Sequence, residues 1–242
     1  MVLVLLVLVP LVCWLWIVVM ARDMYGPMTG ASAWMMTPVW DAPHLLLLWA
    51  MWAVMMTGMM LPSASPLIRL AGSTAREQEG GRGSPHAWLL ASGYVVIWAA
   101  FSVGATALQW WLMRVHIVTP MMEISSQRAG AVLLIIAGLY QWTPLKHACL
   151  SACQSPIAFV MRQWRSGWWG AFRMGLEHGV HCLGCCWALM LLLFAGGVMN
   201  LAVIAALTAF VAFEKLAPAG PNGARVSGAL LLGLGAWMLS AS

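Results

Sequence analysis

The segment EHGVHCLGCCW, which begins at Glu177, contains two histidines and three cysteines. On a helix, where each residue turns by about 100°, four of these side chains fall within an arc of roughly 100°. Cys186 lies just off one edge of this arc, and Glu177 lies just off the other. Imidazole and thiolate are ligands that suit zinc or copper(I), and thiolate-rich sites also hold iron–sulfur clusters. The four side chains on one face are His178, His181, Cys182 and Cys185.

Packing is the alternative to metal binding, because a free cysteine is a small apolar side chain that is often buried. A single cysteine in an apolar helix would carry no further meaning. Five His and Cys residues on nearly one face, beside a glutamate, favour a functional site. Ionisable residues within a membrane span are functional candidates for the same reason, since burying them in lipid is costly.

A second pair of cysteines, Cys149 and Cys153, lies a short way upstream. Thr143 and Pro144 are typical of a helix start, and Pro156 favours a stop, so a short helix is predicted over residues 144–154. On that helix the two sulfurs share one face. We therefore expect a shared metal site formed by Cys149, Cys153, Cys182 and Cys185, with His178 or His181 as further ligands. The remote Cys13 is expected to be a packing residue.

Methionines form two rows on the segment WAMWAVMMTGMMLP. Methionine is a flexible core filler, so packing is one explanation for the rows. The other is a ladder of thioether ligands for copper(I), with Met55 and Met59 as metal ligands. Nineteen methionines in the chain favour copper(I) as the bound ion, with zinc as the alternative. One row is Met51, Met55 and Met59, and the other is Met56 and Met60.

The composition requires that these ligands sit in a membrane. The chain is 62% hydrophobic and 8% charged, whereas soluble domains carry about 25% charged residues. The basic residues form no block, which argues against a nucleic-acid partner. The apolar runs are continuous, so an all-α polytopic transmembrane bundle of about seven spans is predicted, with the lipid bilayer around it. The spans are expected near Val2–Met20, His44–Leu61, Ala87–Met113, Ala129–Leu145, Ala171–Gly196, Val198–Phe213 and Val226–Ser240.

The basic residues orient this single domain, residues 1–242. With the N-terminus inside and the C-terminus outside, nine of the twelve Lys and Arg residues fall on the cytoplasmic side. The first span is then residues 1–20, followed by an external loop over 21–43. Residues 63–86 are expected to form a mobile cytoplasmic loop, 144–154 an interfacial helix, and 171–196 the span that carries the Cys/His face. Lys215 is expected to extend from the end of span six towards the interface.

Four segments together resemble a bacterial family of predicted metal-binding integral membrane proteins, catalogued as a domain of unknown function. The resemblance covers most of the chain, from about Met24 to about Leu216. The resemblance implies a multi-pass protein of the bacterial inner membrane with a metal site at the matching Cys and His positions. The segments are PLKHACLSACQSP, GLEHGVHCLGCCWALML, GVMNL and MMTGMMLP.

These observations predict a membrane protein that binds, relays or transports copper through a Cys/His site at the cytoplasmic side. The first alternative is a membrane metallo-oxidoreductase, or the metal-site subunit of a larger enzyme, in which Glu177 is a candidate acid or base. A membrane or periplasmic partner subunit is expected in that case. The second alternative is thiol redox chemistry at Cys182 and Cys185, although the βαβ context of thioredoxin-like proteins is missing.

Overall fold

The regular elements of the described residues are helices. The structure, a computed structural model, describes residues 2–26, 33, 35, 40–78, 83–119, 122, 124, 126–216 and 220–241. The all-α prediction is confirmed for these residues. The helices are α1 (Val2–Met24), α2 (Ala42–Gln78), α3 (Gly83–Arg114), α4 (Gln127–Tyr140), α5 (Pro144–Gln154), α6 (Pro156–Gln163), α7 (Gly167–Met190), α8 (Leu192–Gly196), α9 (Leu201–Leu216) and α10 (Gly220–Ser240).

Within these ranges, five helices are long and apolar enough to cross a membrane. Each of the seven predicted spans overlaps at least one helix, but α4 has 14 residues and α9 has 16, fewer than a straight crossing needs. Seven spans therefore remain a prediction. The five long segments are Leu6–Met24, Ala42–Gln78, Pro85–Arg114, Gly167–Gly196 and Asn222–Ser240.

The expected mobile loop over residues 63–86 is wrong for most of its length. Helix α2 continues through two internal prolines to Gln78, and α3 begins at Gly83. The reason is an apolar face with helical spacing, which the Gly, Ser and charged residues between its members obscure in the sequence. Only residues 79–82 of the expected loop lie outside the described residues. The apolar face consists of Ala64, Leu67, Ile68, Ala71 and Ala75, all buried.

Helices α3 and α7 cross at backbone contact. A Cβ added at Gly93 would lie 2.2 Å from the carbonyl oxygen of Phe172, and one at Gly175 would lie 2.1 Å from that of Leu90. Both distances are far below any real Cβ contact, so only glycine permits this crossing. The crossing lies close to the Cys/His face of α7 and fixes its distance from α3.

The predicted short helix is confirmed as α5, with the predicted bounds of Pro144–Gln154. The side chain of Thr143 accepts a hydrogen bond from the backbone N–H of Lys146, which is the expected N-cap. The Lys146 ammonium is completely buried and lies 2.6 Å from the Glu214 carboxylate of α9. Ser227 of α10 donates to the other oxygen of that carboxylate. The ion pair thus joins α5, α9 and α10 below the Cys/His face.

Candidate metal centre

Cys182 of α7 lies at the centre of a buried polar cluster. Its side chain is 1% exposed. The Lys215 ammonium, from the end of α9, donates to the Cys182 sulfur over 2.9 Å. The Tyr94 hydroxyl of α3 lies 2.9 Å from the same sulfur and 3.0 Å from the carbonyl oxygen of Met60. Three helices and a cation therefore converge on one thiol.

The other two cysteines of α7 lie beside Cys182 and bond to its backbone. The Cys185 and Cys186 thiols donate to the carbonyl oxygen of Cys182 over 3.1 Å and 2.9 Å. Both side chains are buried. They are one turn or less from Cys182, so rotation about their Cα–Cβ bonds alone would redirect the sulfurs.

Helix α5 packs against α7 and brings its cysteines to this cluster. The Cys153 thiol interacts with the sulfurs of Cys182 and Cys185, and its hydrogen bond to Cys182 raises the pKa of the Cys153 thiol well above its usual range. Cys149 lies against Gly184, where an added Cβ would come within 2.6 Å of its sulfur. Burial raises the pKa of the Cys149 thiol as well. The structure thus brings together the two cysteine pairs that the sequence analysis combined.

The two histidines occupy different positions on α7. His178 is buried, and its ring stacks near Tyr94, with the ring centroids 5.7 Å apart. Its Nδ1 atom has no hydrogen-bond partner, so a buried imidazole nitrogen is available beside the thiols. His181 is half-buried, and its Nδ1 lies 2.7 Å from the carbonyl oxygen of Glu177. Only His178 is enclosed with Cys182.

Glu177, predicted as an acidic neighbour of the ligands, is bound to arginines. Its Oε1 atom accepts hydrogen bonds from Arg165 over 3.3 Å and from Arg173 over 3.2 Å. The side chains of both arginines are at least 40% exposed, so the group formed by Glu177 and these arginines is open to the surroundings. The carboxylate is therefore paired with the arginines through one oxygen, while its buried Oε2 has no hydrogen-bond partner.

The methionine rows of α2 are buried throughout, including the candidate ligands Met55 and Met59. Met60 reaches the cysteine cluster, since its sulfur lies 3.8 Å from the Lys215 ammonium. Ser63, one turn further along, accepts a hydrogen bond from the same ammonium over 3.2 Å. The rows therefore end beside Cys182, although burial alone is equally what a packing role requires.

Among the residues that the structure describes, no three His, Cys, Asp or Glu side chains are arranged so as to hold a metal ion together. The contacts give the reason. The Cys185 and Cys186 thiols point to a backbone carbonyl, and the ammonium of Lys215 takes the position beside Cys182. Metal binding at this cluster therefore requires side chains to rotate and Lys215 to move.

Sequence reasoning missed Lys215 and Tyr94. Lys215 was expected to extend to the interface, but it is 5% exposed and points into the bundle. The expectation is wrong because the polar partners of its ammonium come from α2 and α7, and an isolated helix end does not reveal them. One signal was present: a lysine directly after a glutamate, both at the end of a long apolar run.

Comparison with known proteins identifies the family. The family model described as PpoB2, copper chaperone, matches residues 49–238, which is more than half of the chain. The matched range includes α5, α7, α9 and nearly all of α2. No curated protein and no solved structure matches the chain. The match supports the resemblance to metal-binding proteins that the sequence motifs carried, and it supports the expected association with copper. The chain belongs to the PpoB2 copper chaperone family.

Proposed function

We propose that the protein is a membrane copper chaperone that binds Cu(I) as cargo between α5 and α7. The observation that carries this proposal is the meeting of Cys153 with Cys182 and Cys185, next to the unpartnered nitrogen of His178. Thiolate and imidazole are ligands that favour Cu(I), and membership of a copper chaperone family supports copper over zinc. Cys149, Cys186 and His181 are the further candidate ligands.

Two features suit a cargo site better than a permanent one. The thiols are already close together, so loading needs changes of rotamer rather than movement of helices. Lys215 supplies a positive charge at Cys182 before Cu(I) arrives, so the sulfur has a cationic partner both with and without cargo. When Cu(I) replaces the ammonium, a cation remains beside the Cys182 sulfur, so the free energy needed to bury a thiolate stays low both with and without copper.

The five long apolar helices support a location in the membrane. We propose an inner-membrane protein with seven spans, in which α4 and α9 are short spans, the N-terminus is inside and the C-terminus is outside. The distribution of Lys and Arg residues supports this orientation. The Cys/His site then lies on the cytoplasmic side, where reducing conditions keep thiols free.

The test is the copper content of the purified protein. The full chain, purified in detergent and loaded with Cu(I) under reducing conditions, is expected to hold about one ion per chain. The double substitution Cys182→Ser with Cys185→Ser is expected to abolish this binding. Cys13→Ser is the matched control, because Cys13 is also buried but packs against Gly58 of α2, away from the site. Equal copper in the double variant and the control would refute the site.

A further inference from the structure

A polar pocket of about 440 Å³ opens between α5 and α6, beside the cysteine cluster. Its size is within the range of small-molecule sites in proteins. One wall is formed by α5, on the side of the helix opposite its buried residues. The side chains that line the pocket include Ser151, Ser155, Phe159, Arg162 and His181.

His181 presents a free ring nitrogen to this pocket. Its Nδ1 lies 2.7 Å from the carbonyl oxygen of Glu177, one turn earlier on α7. A carbonyl oxygen only accepts, so Nδ1 carries the proton and Nε2 has a lone pair. A histidine that binds a metal through one nitrogen usually donates its other N–H to such an acceptor. The half-buried ring of His181 is therefore prepared to bind an ion that arrives through the pocket.

Phe159 separates the pocket from the buried part of the site. Its ring meets His178 edge to face, with centroids 5.2 Å apart, and His181 in the same manner at 6.1 Å. Phe159 is itself 6% exposed. An ion bound to His181 is thus one aromatic side chain away from His178, and His178 is enclosed with Cys182.

The pocket and its surroundings are positively charged. Arg162 lies in the lining and is exposed. Arg165 and Arg173 share the single carboxylate of Glu177, so these two arginines carry more positive charge than their one acidic partner balances. The hydroxyl of Ser155 adds a hydrogen-bond donor, whereas the hydroxyl of Ser151 already donates to the carbonyl oxygen of Ala148. Guanidinium and hydroxyl groups favour a ligand with carboxylates.

We infer that this pocket binds a small anionic thiol that carries Cu(I), and that His181 Nε2 takes the ion from it. This inference rests on the proposed function. The copper–sulfur bond of the carrier breaks, a copper–nitrogen bond to His181 forms, and copper remains Cu(I) throughout. The carrier leaves as a thiolate. The ion then passes Phe159: the copper–nitrogen bond to His181 breaks, a bond to the sulfur of Cys182 forms, and Cu(I) replaces the Lys215 ammonium beside that sulfur. No oxidant or reductant takes part.

The test compares two sources of Cu(I) for the full chain in detergent: the glutathione complex, which is anionic, and the acetonitrile complex, which has no carboxylate. The readout is the ratio of the two loading rates. Arg162→Gln is expected to lower the ratio of glutathione to acetonitrile loading about tenfold, because the carboxylates lose their partner. S-methylglutathione, which has the carboxylates but no free thiol, is expected to slow loading from the glutathione complex. Arg69→Gln, the same change at an exposed arginine of α2, is the matched control.

Each result has one interpretation. Wild-type protein that takes Cu(I) from neither source would refute the proposed function itself. Protein that loads from both sources, with the same ratio in wild type and Arg162→Gln, would refute the pocket and leave the copper site standing. His181→Ala must slow loading from both sources, since His181 receives the ion; normal rates would refute its role. Failure of S-methylglutathione to compete would exclude a small anionic thiol and favour a protein donor.

Discussion

The ammonium of Lys215 lies 2.9 Å from the sulfur of Cys182, inside the helical bundle and almost completely buried. The same ammonium contacts the hydroxyl of Ser63 and the sulfur of Met60. A lysine nitrogen thus occupies the place beside a thiol that Cu(I) must reach. Under the proposed function, Cu(I) and this ammonium compete for one sulfur, and we expect this competition to determine how readily the cargo leaves.

Replacing Lys215 by methionine is expected to slow the release of Cu(I). The ammonium competes with the ion for Cys182, and two positive charges at short distance repel in a buried site. Release to a strong Cu(I) chelator should become about tenfold slower or more, which corresponds to about 1.4 kcal/mol. The measurement is stopped-flow absorbance of the chelator complex. Lys215→Arg retains the charge and is the control; faster release from Lys215→Met would contradict the competition.

Copper affinity is expected to fall as the pH falls. The pKa values of Cys149 and Cys153 are raised, so both thiols still hold protons at neutral pH, and Cu(I) must displace them. Each displaced proton makes the affinity fall by up to about tenfold per pH unit. Competition titrations with a chelator between about pH 6 and about pH 8 measure this slope.

The double substitution Cys149→Ser with Cys153→Ser should make the slope shallower, because these two thiols then no longer release protons. Affinity measured for wild type that is independent of pH over the same range would exclude both cysteines as ligands.

Lys146→Met is expected to destabilise the fold strongly. The substitution leaves the Glu214 carboxylate buried, with the ammonium at 2.6 Å removed. Breaking a buried ion pair from one side costs about 3–5 kcal/mol. Unfolding in detergent, followed by circular dichroism against denaturant, measures the loss. Arg173→Gln breaks an exposed pair with Glu177 and should cost less than about 1 kcal/mol.

The double variant Lys146→Met with Glu214→Leu provides the internal check on this explanation. It should recover much of the stability that Lys146→Met loses, because no unpaired charge then remains in the bundle. Glu214→Leu alone is the second single variant, and a loss in the double variant equal to the sum of the two single losses would show that the two side chains act independently.

Met60→Leu is expected to slow copper loading without unfolding the protein. Leucine has a similar volume, so the stability cost should stay below about 1.5 kcal/mol, whereas the thioether next to Lys215 is lost. A decrease of about fivefold in loading rate, or about 1 kcal/mol in the barrier, would show that the methionine row takes part. Met161→Leu changes a methionine that is 79% exposed and is the control. Equal copper loading rates in Met60→Leu and Met161→Leu would show that the methionine row serves packing alone.

Cys149 reports the orientation in the membrane. It is the one cysteine of the six that is not buried. A membrane-impermeant maleimide should label it in inside-out vesicles and leave it unlabelled in intact cells, if α5 lies on the cytoplasmic side. Cys149→Ser should abolish labelling in the vesicles. Labelling of intact cells at Cys149 would reverse the proposed orientation.

Local signals predicted α5 well. Thr143 and Pro144 define its start through interactions within a few residues of the chain, and such interactions can be read from sequence. The continuation of α2 past Ser63 was missed, although Ala64, Leu67 and Ala71 carry helical spacing. The small residues among them resemble a linker, and only their burial against other helices distinguishes the two.

The site was predictable only in part, for a physical reason. The helical spacing of Cys182 and Cys185 predicts which residues share a face, and the structure brings Cys153 to the same place. Lys215 and Tyr94 approach that face from other helices. Their contacts depend on how helices pack, and no short-range pattern encodes that. The metal-binding role of the cysteines stays a prediction until copper is measured.

The glycine contact between α3 and α7 has a mechanical consequence. No side chain separates the two backbones at Gly93 and Gly175, so neither helix can slide past the other without a clash. Helices α3 and α7 therefore form a rigid pair, which holds Tyr94 next to Cys182. An ion that reaches Cys182 must therefore approach from the side of α5 and α9, where the side chains of Cys153 and Lys215 can rotate while the helices stay in place.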